Sequence, residues 1–361
     1  MRPKFHPLTV SDVRQETVDC VSVAFEVPSE LKEVFKFKQG QYLTLRETIE
    51  GEDVRRSYSI SSGINDGELR VAIKKVDGGL FSTWANENLK KGSEIQVMTP
   101  MGNFSPDLSK ENKKRYLLVA AGSGITPVIS IARSILDTEP NSEVNLIYGN
   151  RWFNTIIFRE ELENLKDRFI GKFRVFHVLS AEPSDIPLFH GRIDTDKCRG
   201  FNGTFIDFKS MNEIFVCGPE SMIRAVSEYS EGLGISKDNI HFELFASPGQ
   251  IKERAPREEK EVKSTDEVCE VQVILDGQES SFAMPMNGMK ILDAAQRNGV
   301  DIPFSCKGGM CCTCRAHISE GTANMEVNYA LEPGEVENGF VLTCQAVPTS
   351  KKIIVDFDKQ L

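Results

Sequence analysis

Nowhere in its 361 residues does the chain contain eighteen consecutive apolar residues, which excludes a helix read as spanning a bilayer. Its amino terminus, Met-Arg-Pro-Lys-Phe-His-Pro, lacks the apolar core of a secretory leader, and the expected compartment is the cytoplasm. A basic surplus is lacking too: the formal charge is −10, and from Asp266 onward 14 acidic side chains stand against 7 basic ones. That balance excludes nucleic acid as a partner. It suits either solubility or steering toward a basic patch on another protein. No internal repeat is present, and the nine cysteines form an odd set, which argues against a disulfide framework in a reducing cytosol.

What the chain does have is enough length and apolar content, 40% hydrophobic, for two or three separate cores. Its most informative stretch is Cys306-Lys-Gly-Gly-Met-Cys311-Cys-Thr-Cys314, followed thirty residues later by Cys344. With Cys312 as a bystander the spacing is C-x4-C-x2-C and then a fourth cysteine, the plant-type pattern of a 2Fe-2S cluster. Two irons need four protein thiolates, and Gly308 and Gly309 let the backbone wrap close and aim N–H groups at sulfur. The rival reading is a structural zinc, although such sites more often carry two C-x2-C pairs and here there is one. Cys20, Cys198, Cys269 and Cys312 read as small buried thiols.

Upstream, short alternating runs (Val21, Val23, Phe25 and Val27; then Tyr42 to Leu45, Tyr58 to Ile60, Leu69 to Ile73 and Ile95 to Val97) predict an antiparallel β-barrel over residues 1–109. Within it stand Arg56-Ser57-Tyr58-Ser59 and, further on, Ile73-Lys74-Lys75-Val76-Asp77-Gly78-Gly79-Leu80-Phe81-Ser82. An arginine forks onto a pyrophosphate, a tyrosine offers a flat face to a ring, and a glycine turn exposes N–H groups to phosphate.

The pattern then changes. Tyr116-Leu-Leu-Val-Ala-Ala121 is a continuous apolar run of the kind a buried parallel strand needs, and Gly122-Ser-Gly124-Ile-Thr126-Pro127 turns it into a helix. Proline replaces the third glycine of the usual dinucleotide fingerprint, which a first helical turn tolerates, so the helix amino end can still face a pyrophosphate. Further strand and helix signals predict a doubly wound α/β domain over 110–247. Cys217-Gly218-Pro219 falls at the carboxyl end of one strand, where open sheets bind ligands, and Arg151 and Ser180 fall near the same edge, within reach of an adenosine ribose. Residues 248–266 are of mixed charge with almost nothing apolar and read as a flexible linker, with a reach on the order of 25 Å. A third domain, over 267–361, carries the cysteines.

In this order and at these distances, Arg-Ser-Tyr-Ser, Gly-Ser-Gly-Ile-Thr-Pro and Cys-Gly-Pro-Glu-Ser-Met resemble the ferredoxin-NADP reductase superfamily, extended by a carboxyl-terminal plant-type ferredoxin domain. Residues 306–314, 327–332 and 339–345 are similar to the reductase subunits of ring-1,2-phenylacetyl-CoA epoxidases, and 3-ketosteroid 9α-hydroxylase reductases share the domain order. The resemblance implies an FAD-binding antiparallel barrel, a doubly wound α/β NAD(P) domain and an α+β β-grasp ferredoxin domain. It implies that Arg56, Ser57, Tyr58 and Ser59 hold FAD, completed by Ile73, Lys74, Val76 and Gly79 to Ser82 with Leu80 and Phe81. Gly122, Gly124, Thr126 and Pro127 would cradle NADPH or NADH, with Cys217 beside the nicotinamide and Gly218, Pro219 and Phe245 as further cofactor-binding residues. Cys306, Cys311, Cys314 and Cys344 would be the iron ligands, and Ser59 and Cys217 would flank hydride transfer. Where those reductases are expected to carry an arginine after Ser180, this chain has Ala181, leaving Arg151 as the candidate for a 2'-phosphate.

The implied activity is electron transfer from NAD(P)H to FAD, to the cluster, and out to the oxygenase of a multicomponent system. Phenylacetyl-CoA epoxidase, in phenylacetate degradation, is the expected acceptor; a 3-ketosteroid 9α-hydroxylase or a ring-hydroxylating system is the alternative. The non-enzymatic alternative is an iron-sulfur redox sensor, for which a complete flavin and nicotinamide apparatus would be superfluous.

Overall fold

The structure is a computed structural model and describes residues 4–245, 267–286 and 288–359. The linker expected at 248–266 lies outside the described residues, as does the boundary at 247.

The amino-terminal domain is a six-stranded antiparallel sheet of β1 (Phe5–Thr17), β2 (Cys20–Glu26), β3 (Tyr42–Ile49), β4 (Glu52–Ser59), β5 (Leu69–Lys74) and β6 (Glu94–Met98), with α1 (Leu80–Asn88) between the last two. Its order is β4-β3-β6-β1-β2-β5, and a bridge between Ile60 and Val71 joins the two edges into a barrel. Val21, Val23 and Phe25 point inward with Leu43, Leu45, Val71 and Ile73. The outward face of β2 is buried as well, because Cys20, together with Ala72 of β5, packs into the core of the next domain. The alternation of β2 therefore orients its side chains without leaving either face in water.

The second domain is a parallel sheet of β7 (Arg115–Ala121), β8 (Glu143–Asn150), β9 (Phe173–Leu179), β10 (Glu213–Gly218) and β11 (Ile240–Leu244), in the order β11-β10-β7-β8-β9. Helices α2 (Ile125–Thr138) and α3 (Arg159–Arg168) pack with Leu118 and Ala120 on one face, and α4 (Thr195–Phe201) and α5 (Glu220–Gly232) with Leu117 and Val119 on the other. The strand order reverses at β7, so the crevice for a ligand opens where β7 and β10 end side by side. Helix α2 is buried on nearly every side, since the barrel covers its outer face: Ser130 Oγ donates to Ser62 O at 2.7 Å, and Ile64 N donates to Ser134 Oγ at 3.1 Å. Each Ile or Val so enclosed contributes about 1.5–3 kcal/mol.

The third domain is a mixed sheet of β12 (Val268–Leu275), β13 (Gln278–Pro285), β14 (Arg315–Glu320), β16 (Phe340–Leu342) and β18 (Lys352–Asp356), ordered β13-β12-β18-β14-β16. The small ribbon β15 (Ala323–Met325) with β17 (Ala346–Pro348), and helices α6 (Ile291–Arg297) and α7 (Pro333–Glu337), complete it. The first and last strands of its main sheet, β12 and β18, run parallel at the centre while the other pairs are antiparallel. This is the expected α+β β-grasp, with Leu292 and Ala295 of α6 packed on Val271, Val273 and Ile353.

Candidate electron-transfer site

The Arg-Ser-Tyr-Ser segment is the end of β4, and its register with β3 (Ser59 opposite Tyr42, Tyr58 opposite Leu43, Ser57 opposite Thr44) fixes which side each side chain faces. Tyr58 lies half-buried, its ring 5.8 Å from that of Phe81, while Ser59 is buried and Arg56 extends into solvent. Ser82 Oγ accepts from Val76 N at 3.1 Å, closing the turn whose Gly79 caps α1 without a side-chain bond. The first N–H groups of α1 are thus left without a side-chain cap, and the helix start lies near Tyr58 through the ring of Phe81. Lys74 pairs with Asp19 at 3.6 Å, on the outer surface. Ile73 and Phe81 are enclosed in the barrel core, so only their backbone is available to a ligand. Leu80, at the start of α1, is half-buried.

At the switch point, β7 runs through the tight turn Gly122–Gly124 directly into α2. A Cβ on Gly124 would come within 2.7 Å of the carbonyl carbon of Cys217, so the close approach of β7's exit to the end of β10 admits glycine alone. Thr126 Oγ1 donates to Ser123 O at 3.0 Å, and Pro127 is the third residue of α2, where its missing N–H costs nothing. No side chain caps this helix start, which lies beside Cys217, Gly218 and Pro219, and Phe245 N reaches back to Gly218 O at 3.3 Å. The Cys217 thiol is enclosed, and burial holds its pKa far above the ordinary thiol range. Arg151 and Ser180 come together at the ends of β8 and β9: Ser180 N donates to Asn150 O at 2.8 Å and Ala181 N to Arg151 O at 2.9 Å. Glu182 stands at the same edge, accepting from Phe153 N at 2.8 Å.

One side chain at the seam between the domains carries almost no signal in the sequence. Glu243, on β11, lies beside Cys217 in the β10–β11 register and accepts from Ser59 Oγ at 3.4 Å, so it spans the seam between barrel and α/β domain. Burial pushes its carboxyl up to about 7, with the Ser59 bond opposing. Its one visible mark is an acid flanked by Phe242, Leu244 and Phe245 in a strand-like run.

The cysteine loop follows α6 and runs into β14. Cys306 approaches Cys311, and Cys314 approaches Cys344, in two pairs. Among the described residues no three His, Cys, Asp or Glu side chains close on one point as a mononuclear ion would require. Two pairs of sulfurs fit a binuclear centre with two thiolates for each iron. Gly308 N and Met310 N each donate to Cys306 Sγ at 3.4 Å. These bonds, after the approach of Cys311, draw the Cys306 thiol down to about 6. Gln345 Nε2 bonds both Lys307 O at 2.9 Å and Cys344 Sγ at 3.7 Å, tying the fourth cysteine to the loop. Of the two loop glycines, Gly309 needs its freedom, with φ of +75°, and the other left-handed position of the loop is Lys307, with φ of +52°. Cys312 Sγ is turned aside, donating to Ala330 O at 3.2 Å.

The loop rests on the flavin-motif hairpin itself. Thr313 Oγ1 is 3.2 Å from Tyr42 Oη, and Ser57 Oγ donates to Ser305 Oγ at 2.9 Å. The groups expected to hold cluster and flavin thus share one pair of strands.

Residues 7–105 match the family described as an oxidoreductase FAD-binding domain, 118–228 the oxidoreductase NAD-binding domain, and 273–349 the 2Fe-2S iron-sulfur cluster binding domain. The chain is 40% identical to a 1,2-phenylacetyl-CoA epoxidase component of Escherichia coli (strain K12), over 98% of both proteins. It is 33% identical to the ferredoxin reductase component of 3-ketosteroid-9-alpha-monooxygenase of Rhodococcus rhodochrous, over 97% of this chain and 96% of the relative. Phthalate dioxygenase reductase has the same fold, with a TM-score of 0.56 at 21% identity over 98% of each chain. No helix among the described residues is long and apolar enough to cross a membrane. The chain belongs to the oxygenase-reductase family that joins FAD-binding, NAD-binding and 2Fe-2S domains in one polypeptide, and it is an NAD(P)H-dependent electron-transfer enzyme.

Proposed function

We propose that the chain is the reductase component of a phenylacetyl-CoA epoxidase, and the observation that carries this is 40% identity to a component of that enzyme over 98% of both chains. The 3-ketosteroid-9-alpha-monooxygenase reductases, at 33%, supply the second reading. FAD, when bound, takes two electrons from the nicotinamide as a hydride and returns them singly to the cluster. The chain's part is to bind, orient and exclude water.

In this reading Arg56 and the amino end of α1, from Gly79 to Ser82, hold the FAD pyrophosphate. Ser57 and the backbone of Ile73, Lys74 and Val76 line its site, Tyr58 covers the ring, and Ser59 faces N5. Gly122, Gly124, Thr126 and Pro127 receive the dinucleotide pyrophosphate, with Arg151 and Ser180 at the ribose and Cys217, Gly218, Pro219 and Phe245 at the nicotinamide. Cys306 and Cys311 ligate one iron, and Cys314 and Cys344 the other. We take the domain limits as 1–109, 110–247 and 267–361, joined by 248–266, a division that the three separate cores support without fixing its boundaries. None of the nine cysteines is in a disulfide, which suits the cytoplasm as the compartment.

The test is reconstitution with the oxygenase component of a phenylacetyl-CoA epoxidase. Phenylacetyl-CoA should accelerate NAD(P)H oxidation and yield epoxide in proportion. Acceleration by a 3-ketosteroid with its own oxygenase, and none by phenylacetyl-CoA, would overturn the assignment.

A further inference from the structure

Arg55 of β4 is almost completely buried, at 5% exposed, yet both carboxylates that pair with it stand in water: Asp53 is 47% exposed and Asp301 71%. The guanidinium is covered in part by the barrel's own Phe5, whose ring centre is 5.3 Å away, and in part by the third domain. It lies 4.2 Å over the ring of Phe304, two residues before the first cluster cysteine, and Nη2 bonds Asp301 at 3.1 Å. The other side of the fork is fixed from its own strand, where Nε and Nη2 bond Asp53 at 3.1 and 2.8 Å. The hairpin thus presents Arg55 ready oriented, and the segment before the cysteine loop supplies a ring and a carboxylate to receive it.

The rest of the contact is of the same character. It includes two hydroxyl pairs, Tyr42 with Thr313 and Ser57 with Ser305, and an exposed bridge of Lys4 to Asp276 at 3.4 Å. Polar contacts of this kind, with ion pairs open to solvent, are those of interfaces that part and re-form, and their attraction is screened by salt.

We propose that Arg55 is the positioning residue that latches the cluster domain onto the flavin barrel, through Asp301 and Phe304, and that ionic strength releases the latch. Release leaves Arg55 hydrated instead of stranded in a core, so the parted state carries no unpaired buried charge. The inference rests on the electron route from flavin to cluster and is independent of which oxygenase accepts the electrons.

The experiment uses the complete, cofactor-loaded protein and modifies arginines with phenylglyoxal, reading Arg55 by peptide mass spectrometry against Arg199 of α4, 67% exposed, as the reference. Arg55 should be protected at low salt and more heavily labelled at about 0.5 M salt, where the long-range attraction between the exposed charges of the contact is screened and the pairing with Asp301 is weakened. In Asp301→Lys its labelling at low salt should rise about three- to fivefold, the population shift that loss of a partly exposed ion pair supports. Asp301→Glu should restore protection. Reduction of two ferricyanide ions per NAD(P)H, drawn from the flavin, should be unchanged in Asp301→Lys, while reduction of cytochrome c through the cluster falls by a similar factor. Arg55→Lys, which keeps the charge and loses the fork, should match Asp301→Lys in the cytochrome c assay. Equal Arg55 labelling at both salt concentrations, or a cytochrome c rate in Asp301→Lys equal to that of the unaltered protein, would overturn the proposal.

Discussion

Ser59 Oγ lies 3.4 Å from Glu243 Oε2, across the seam between the barrel and the α/β domain. The carboxyl holds its proton to about pH 7 in the folded chain, against an ordinary value of 4.5, because the seam withdraws it from water. Between those two values the folded state binds more protons than the unfolded one. Stability from this group is therefore full below about pH 4.5, declines as pH rises toward 7, and stays at its reduced level above.

Glu243→Gln removes the ionisation and keeps the shape. Its thermal midpoint should exceed that of the unaltered apoprotein at pH 8 and approach it at pH 5. The check is a series of melts across that range, and parallel curves with no pH-dependent gap would show that the carboxylate is not penalised by the fold.

How much of this is legible in the sequence follows the separation of the contacts along the chain. The cysteine spacing, the Gly-Ser-Gly turn and the apolar run of β7 are local patterns, and each is matched by a local structure: two cysteine pairs, the turn into α2 and a buried parallel strand. Strand β1 is hard to read despite its 13 residues, because it pairs with both β2 and β6 and two register shifts break its alternation. Glu243 carries no local mark of its role, since its partner Ser59 stands 184 positions away. The docking of the cluster loop is equally hidden, joining Tyr42 to Thr313 across 271 positions by two hydroxyls that no periodicity marks. Patterns report burial and turns; pairings between surface polar groups of separate domains leave no such trace.

Nucleotide preference offers a second prediction. Arg151 is exposed beside Ser180, where the second sheet ends, and the carboxylate of Glu182 shares that edge. If the 2'-phosphate of NADPH pairs with Arg151, Arg151→Ala should raise the KM for NADPH by about tenfold, the lower end of what a hydrogen bond to a charged group supports. The KM for NADH and kcat with saturating NADH should hold. Steady-state ferricyanide reduction with both nucleotides decides it, and equal effects on the two would remove Arg151 from the ribose site.

The fifth cysteine of the cluster region separates ligand from bystander. Cys312 Sγ is directed at Ala330 O, and burial pushes its pKa up to about 12, so it is a packed neutral thiol. Cys344 is drawn below the ordinary thiol value, first by Cys314, and Gln345 donates to its sulfur at 3.7 Å. Cys312→Ala should keep the full iron and acid-labile sulfide content and cost stability only, about 1–2 kcal/mol for one small buried side chain. Cys344→Ala leaves one iron a thiolate short, so iron and sulfide should be lost together. The flavin, held by residues of the barrel, should still reduce ferricyanide in that variant while cytochrome c reduction fails. Loss of iron in Cys312→Ala, or its retention in Cys344→Ala, would mean that a different set of four sulfurs holds the cluster.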